Sequence, residues 1–366
     1  MAKVSHLVSL GCILLFTACG RQNSERADGQ PEDETTRLIA YFESFDRDAD
    51  ATPIDSSWEH ILEWNRETLA EAYKRIGKRD PAWDEDAIAA LDAFALVLTS
   101  QSPDSAEAWE PYLSHLEMAI DAGCDDPLVR YCYARDLASE HMSTAEAAEH
   151  WGDVADVMIR SSYHDFRKLY ANFRAYLAMR SAEVGLKDYR TALYNRSCQL
   201  FSSCANQPEI PVGLITTIGT WWLDSFASSI ADEHFRINYL HPINRQWGRA
   251  LEVDLLNAKF VIKHAWAARG NGFANTVSDE GWRLYRERLR AAESMLFTAW
   301  FDHKGEPAIA YEMLSVGLGL SFDRADYDLW FERIMTAAPD HYQACSRKLH
   351  YLKPRWHGSF NEMIEF

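Results

Sequence analysis

Thirteen histidines and fifty-five carboxylates give this 366-residue chain many chances to assemble acid–base or metal chemistry. Two helical spacings come nearest. Glu146 and His150 stand four residues apart, and His60, Glu63 and Glu67 recur at steps of three and four. Either set would share one face of a helix and could bind a metal or work as acid and base. Charged residues at this spacing are, however, common on solvated helix faces, and that explains both sets better. Thirteen tryptophans suggest a second kind of chemistry. The Trp221-Trp222 pair with Trp247, Trp266 and Trp282 could line a sugar- or peptide-binding groove, or fill the space between packed helices.

Motifs that would direct the reading elsewhere are absent. There is no HExxH, and no histidine follows a glutamate by three positions, which removes the zinc-protease and di-iron patterns. GxSxG, GxxxxGK[ST] and GxGxxG are also missing, so no nucleotide or other cofactor is expected. The glycine-rich Arg269-Gly270-Asn271-Gly272 follows a helix instead of opening one, so it reads as a cap and turn. With 37 basic against 55 acidic side chains the formal charge is −18. Nucleic acid is therefore not an expected partner, since phosphate binding needs a basic surface. A polybasic membrane patch is disfavoured on the same ground.

The N-terminus gives the most specific reading. Residues 7–18 run apolar without a charge behind a short segment carrying Lys3, which is the layout of a signal peptide and too short to span a bilayer. Leu15-Phe16-Thr17-Ala18-Cys19-Gly20 resembles a lipobox. That resemblance implies cleavage before Cys19, lipid on its sulfur and a membrane-anchored product; Gly20 after the cysteine points to the outer membrane, facing the periplasm. Residues 20–36 contain no large apolar side chain and read as a disordered tether. The expected organisation is a signal peptide at 1–18, the lipidated Cys19 and tether at 19–36, and a helical body at 37–366. Cys12 leaves with the signal, so Cys124, Cys132, Cys198, Cys204 and Cys345 remain in the body. Cys198 could pair with Cys204, or Cys124 with Cys132, but buried free thiols are the main expectation in a core this large.

From Thr36 onward the apolar residues recur with a 3.6-residue period, and almost nothing alternates as a strand would. The fold class is all-α, with about thirteen helices. Trp58, Ile61, Leu62, Leu69, Ala72, Tyr73 and Ile76 form one face that Gly77 can close; Trp109, Leu113, Leu116 and Ile120 form another, with Gly123 as a left-handed cap. Asp126-Pro127 reads as an N-cap with a first-turn proline, and Ser143 with Glu146 as a capping box. Residues 207–211 make the best internal break, yet they lack the composition of a flexible linker. Segment 212–231 reads as a buried core helix.

Near the C-terminus, Phe331 precedes Pro339 by eight residues with Ala337 and Ala338 between. This resembles the second helix and closing proline of a tetratricopeptide repeat, with Ile334 where alanine is usual, and it implies an α-solenoid of stacked helix pairs. The segment Leu352-Lys353-Pro354-Arg355-Trp356-His357-Gly358-Ser359 is similar to a PRWGGS-type element of the bacterial domain of unknown function 4034 family. The phrases at 122–129 and 269–273 and the segment from Trp330 to Tyr342 resemble the same family. The resemblance implies a helical-repeat fold, a structural role for Pro354, Arg355, Trp356, Gly358 and Ser359, and no activity. His357 stands where that family has glycine, so either His357 is strained or the turn differs. Related chains continue the helix that starts near Ser359, so this one, ending at Phe366, is expected to lack part of a capping turn. The function expected from these readings is a lipid-anchored envelope protein whose helical-repeat surface binds a protein or peptide. The alternative is a cell-wall glycan-binding or glycan-cleaving protein with a helical cleft.

Overall fold

A computed structural model describes residues 33–45, 57–100, 102–137, 142–182, 187–226, 236–248 and 250–366. All elements among the described residues are helical, and sixteen helices form where about thirteen were expected. The first half contains α1 (Glu34–Glu43), α2 (Trp58–Arg66, continuing through a π turn at Glu67–Glu71 into Ala72–Ile76), α3 (Asp84–Val97), α4 (Trp109–Asp121), α5 (Pro127–Asp136), α6 (Thr144–Arg160), α7 (Asp165–Ser181) and α8 (Lys187–Cys204). The second contains α9 (Val212–Phe226), α10 (a π turn at Arg236–Leu240 running into His241–Trp247), α11 (Leu251–Arg269), α12 (Asp279–Asp302), α13 (Pro307–Leu320), α14 (Arg324–Ala337), α15 (Tyr342–Tyr351) and α16 (Phe360–Glu365). Short helices, α10 among them, give a periodic pattern too little length to register.

Local chemistry sets the helix ends. Asp126 accepts the Leu128 N–H and Pro127 takes the first turn of α5, while Ser143 and Glu146 cap each other's backbone at the start of α6. After α4, Gly123 adopts φ +92°, and the N–H groups of Gly123 and Cys124 return to the carbonyls of Ile120 and Ala119. Only a residue without a Cβ enters that turn cheaply. The α2 face forms largely as expected: Leu62, Leu69, Ala72 and Tyr73 are buried, Trp58 and Ile61 half-buried, and Ile76, in the last turn, is exposed. On α4 the buried line is Tyr112, Leu116 and Ala119, leaving Trp109 exposed.

Helices α2 to α8 pack in succession, α1 packs on α12, and from α9 onward the helices apart from α10 and α16 form two layers. Helices α9, α11, α13 and α15 adjoin one another as one layer; α12 packs on α11 and α13, and α14 on α13 and α15, as the other. This is the stacked-pair arrangement of a solenoid. The buried side chains form two clusters that meet at α7. Phe166, Leu169 and Phe173 face one cluster, and Ala171, Ala175 and Met179 face the other. The 207–211 turn is no linker, because Ile210 is wholly buried within it.

The tether expected at 19–36 ends earlier than its composition implied. Asp33 caps α1, the Thr35 hydroxyl donates to the Glu287 carbonyl of α12 over 2.9 Å, and Glu34 pairs with Arg288 at 3.2 Å. Residues 34–36 therefore belong to the folded body; polar contacts dock them, so they carry no apolar signal. The signal peptide, Cys19 and the rest of the tether lie outside the described residues. Among the described residues no helix is long and apolar enough to cross a membrane.

Two polar groups pin the first half. Asp126, fully buried, accepts the Lys78 N–H at 2.8 Å and the Tyr163 hydroxyl at 2.9 Å besides capping α5. Arg167 of α7 donates to Asn65 and Thr68 of α2, each at 2.7 Å, and lies 4.9 Å from the Trp64 ring. Its burial pulls the guanidinium down to about 10. The five cysteines of the body are free thiols, with Cys124, Cys132 and Cys204 buried. Cys198 and Cys204 share α8 six positions apart, which places them about 120° apart around the helix.

At the repeat-like segment, the groove between helices is filled by Tyr327, Trp330 and Ile334 rather than by Phe331. Phe331 is half-buried against Phe366, with the Lys348 ammonium 4.8 Å from its ring. The Ala338 N–H closes α14 onto Ile334 immediately before Pro339, as the proline required.

Candidate binding groove

The layer made by α9, α11, α13 and α15 carries three joined cavities on its free face, and no residue of α12 or α14 lines them. The first, about 390 Å³, lies where Ile61 and Leu98 approach Thr217, Trp221 and Leu255. Thr220 and Lys259 connect it to a second of about 390 Å³, which adds Asp224, Lys263 and Glu312. Trp266, Ser315 and Arg347 connect that to a third of about 460 Å³, walled by Tyr311, Tyr342, His350 and Lys353. Together they form a groove crossing four helices.

Its walls are mixed in character. Thr216 and Thr217 spend their hydroxyls on the Val212 and Gly213 carbonyls of their own helix, at 2.8 and 2.6 Å. Lys263 pairs with Asp224 at 2.7 Å, while Glu312 lies 3.8 Å from Lys259 and 3.9 Å from Arg347. Arg347 also donates to the Tyr311 carbonyl at 2.8 Å and stacks 3.8 Å over that ring, so its guanidinium is held flat against the wall. Both carboxylates of the second cavity are thus occupied by cations. A glycoside-cleaving site needs a carboxyl with no cation beside it to serve as the acid, whereas Asp224 and Glu312 each lie beside one.

Of the five tryptophans singled out in the sequence, two reach the groove. Trp221 and Trp266 line it, Trp222 and Trp247 are buried in the core, and Trp282 is half-buried against Tyr285 and Arg269. The acid–base sets do not assemble. Glu146 is committed to Ser143, whose hydroxyl and then backbone N–H hold its carboxyl below the usual range, and His150 sits edge-on to Tyr133, pushed down by burial and then by Arg130. Among the described residues no three His, Cys, Asp or Glu side chains are placed to hold a metal ion. Tyr311, Tyr342, Arg347 and Lys353 were missed. A signal for them existed: Gln343, Ser346, Arg347 and His350 recur at steps of three, one and three, one polar stripe on α15.

The 352–359 element braces the groove's third cavity. Trp356 packs 6.5 Å from Trp266 and 5.7 Å from His350, two of that cavity's walls, and Ser359 caps α16 by accepting the Glu362 N–H. Pro354 and Arg355 are exposed on the turn. His357 does not take the left-handed conformation of a glycine, since Ser321 is the one non-glycine residue with positive φ among those described. His357 stacks on Tyr351 at 4.7 Å. At Gly358 an added Cβ would lie 2.3 Å from the Leu352 oxygen and 2.7 Å from its Cα, both backbone atoms that cannot rotate away. Gly358→Ala is expected to cost about 2 kcal/mol, read as a lower urea midpoint with an unchanged slope. An unchanged midpoint would contradict the close packing of this turn.

No protein-family model, curated protein or solved structure matches the chain.

Proposed function

We propose that this protein is a lipid-anchored binding module of the bacterial cell envelope that receives a segment of a protein partner in the groove of α9, α11, α13 and α15. The observation that carries this reading is the continuity of the three cavities across four helices, with Trp221 and Trp266 in their walls. Grooves of stacked helix pairs bind extended segments, and tryptophan supplies large contact area at small entropic cost. Lipid on Cys19 would hold the module at the outer membrane, facing the periplasm, and the resemblance of the 352–359 element to the domain of unknown function 4034 family belongs to the same proposal. The paired state of Asp224 and Glu312 favours binding over glycan cleavage.

The test is quantitative pull-down from an envelope extract with the wild-type chain and with Thr217→Arg/Ser315→Arg, which fills the groove from α9 and α13. A partner depleted about tenfold or more on the double variant, with an unchanged circular dichroism spectrum, supports the reading. Equal recovery on both chains would contradict it. The anchor is tested separately by palmitate labelling, which is expected to vanish in Cys19→Ala.

A further inference from the structure

The third cavity differs from the rest of the molecule in charge. The chain carries a formal charge of −18, yet the residues lining this cavity include Arg347, Lys353 and His350 and no carboxylate. The second cavity balances its cations with Asp224 and Glu312, and the first opposes Lys259 with Glu252. Cations therefore outnumber carboxylates at the α13–α15 end of the groove, where Glu312, 3.9 Å from Arg347, is the nearest acid and Lys353 has no carboxylate beside it in the cavity wall. His350 stands beside Lys353, and burial first, then Lys353 and Arg355, hold its imidazole below the usual range. Beside these cations stand Trp266 and the largely exposed Tyr342, together with neutral donors at Ser315, Gln343 and Ser346.

We propose that this cavity receives an acidic side chain, Asp or Glu, of the partner segment, with a large apolar neighbour of that residue lying against Trp266 and Tyr342. The inference rests on the groove being a peptide site and adds the chemistry of its occupant. Charge complementarity is the argument. An acidic segment is repelled by a surface of this net charge except where cations outnumber carboxylates, so the cavity fixes register as well as composition. Arg347 is pre-oriented by Tyr311, which lowers the entropy lost when it donates to a carboxylate. Among the described residues Lys353 reaches His350 Nδ1, at 3.4 Å, and forms no ion pair with a carboxylate.

The experiment is selection of a random peptide library, displayed as fusions without free C-termini, on the full folded chain and on two variants. On the wild type, Asp and Glu are expected to be enriched about threefold over the library, adjacent to an aromatic or aliphatic residue. Lys353→Glu is expected to abolish that enrichment and favour Lys or Arg instead. Arg347→Gln, which keeps a donor toward the Tyr311 carbonyl, is expected to reduce it while apolar selection persists. Selected peptides with no acidic preference, or with the same preference on Lys353→Glu, would overturn this inference and leave the groove reading standing. Failure to enrich any peptide on the wild type would overturn both.

Discussion

Trp222→Ala is expected to destabilise the folded chain by about 4 kcal/mol, while Trp221→Ala, one residue away, costs about 1 kcal/mol or less. Trp222 is fully buried among Phe173, Tyr194, Phe201 and Tyr239, whose ring centres lie 5.4 to 5.9 Å away on α7, on α8 and at the start of α10. Removing the indole leaves a cavity that these rings, already packed against one another, cannot collapse to fill. Trp221 instead lies half-buried on the groove wall under the Arg174 guanidinium, 5.2 Å from its ring centre, and its loss should appear in partner binding. Urea denaturation of both variants checks the contrast. Equal losses would mean that the groove wall and the core are not distinct surfaces.

Asp126→Ala is expected to cost about 3 kcal/mol, because it strands the Lys78 and Leu128 N–H groups and the Tyr163 hydroxyl in a buried site. Asp126→Asn should cost less. Burial raises the carboxyl above its ordinary range, opposed by the hydrogen bonds it accepts, so the ionised form is a charge the fold holds at some expense. The sign follows from proton uptake. With its folded value above the unfolded one, Asp126 binds a proton more readily in the native state, so its unfavourable contribution is full at neutral pH and is relieved as pH falls through the folded value. Asparagine cannot gain that relief. The stability of wild type relative to Asp126→Asn should therefore rise on acidification from pH 7 toward the ordinary aspartate range; a falling difference would contradict the assignment.

The helical class was legible because the apolar period persists through almost every segment, and the caps at Asp126, Ser143 and Gly123 were legible because each depends on a few adjacent residues. What failed was non-local. The docking of residues 34–36 on α12 depends on Glu287 and Arg288, about 250 positions away, and leaves no trace in the local pattern. The exposure of Trp109 likewise depends on which face of α4 meets α3 and α5. For the groove, the tryptophans were the right residue type, but side-chain identity alone could not separate Trp221 from Trp222. That division is decided by which face of α9 meets Phe173 and Phe201. The polar stripe on α15 was available and acquires meaning only once α13 is known to lie beside it.

The most direct test of the binding groove is site-specific photo-crosslinking in cells. A photoreactive residue would replace Thr217 or Ser315 within the groove, and Arg286 or Glu332 on the opposite layer as controls. The account predicts one discrete crosslinked species shared by the two groove positions, absent from both controls and lost when the opposite groove position carries arginine. Crosslinks of the same species from Arg286 or Glu332, or none from either groove position in cells where the partner is expressed, would contradict it.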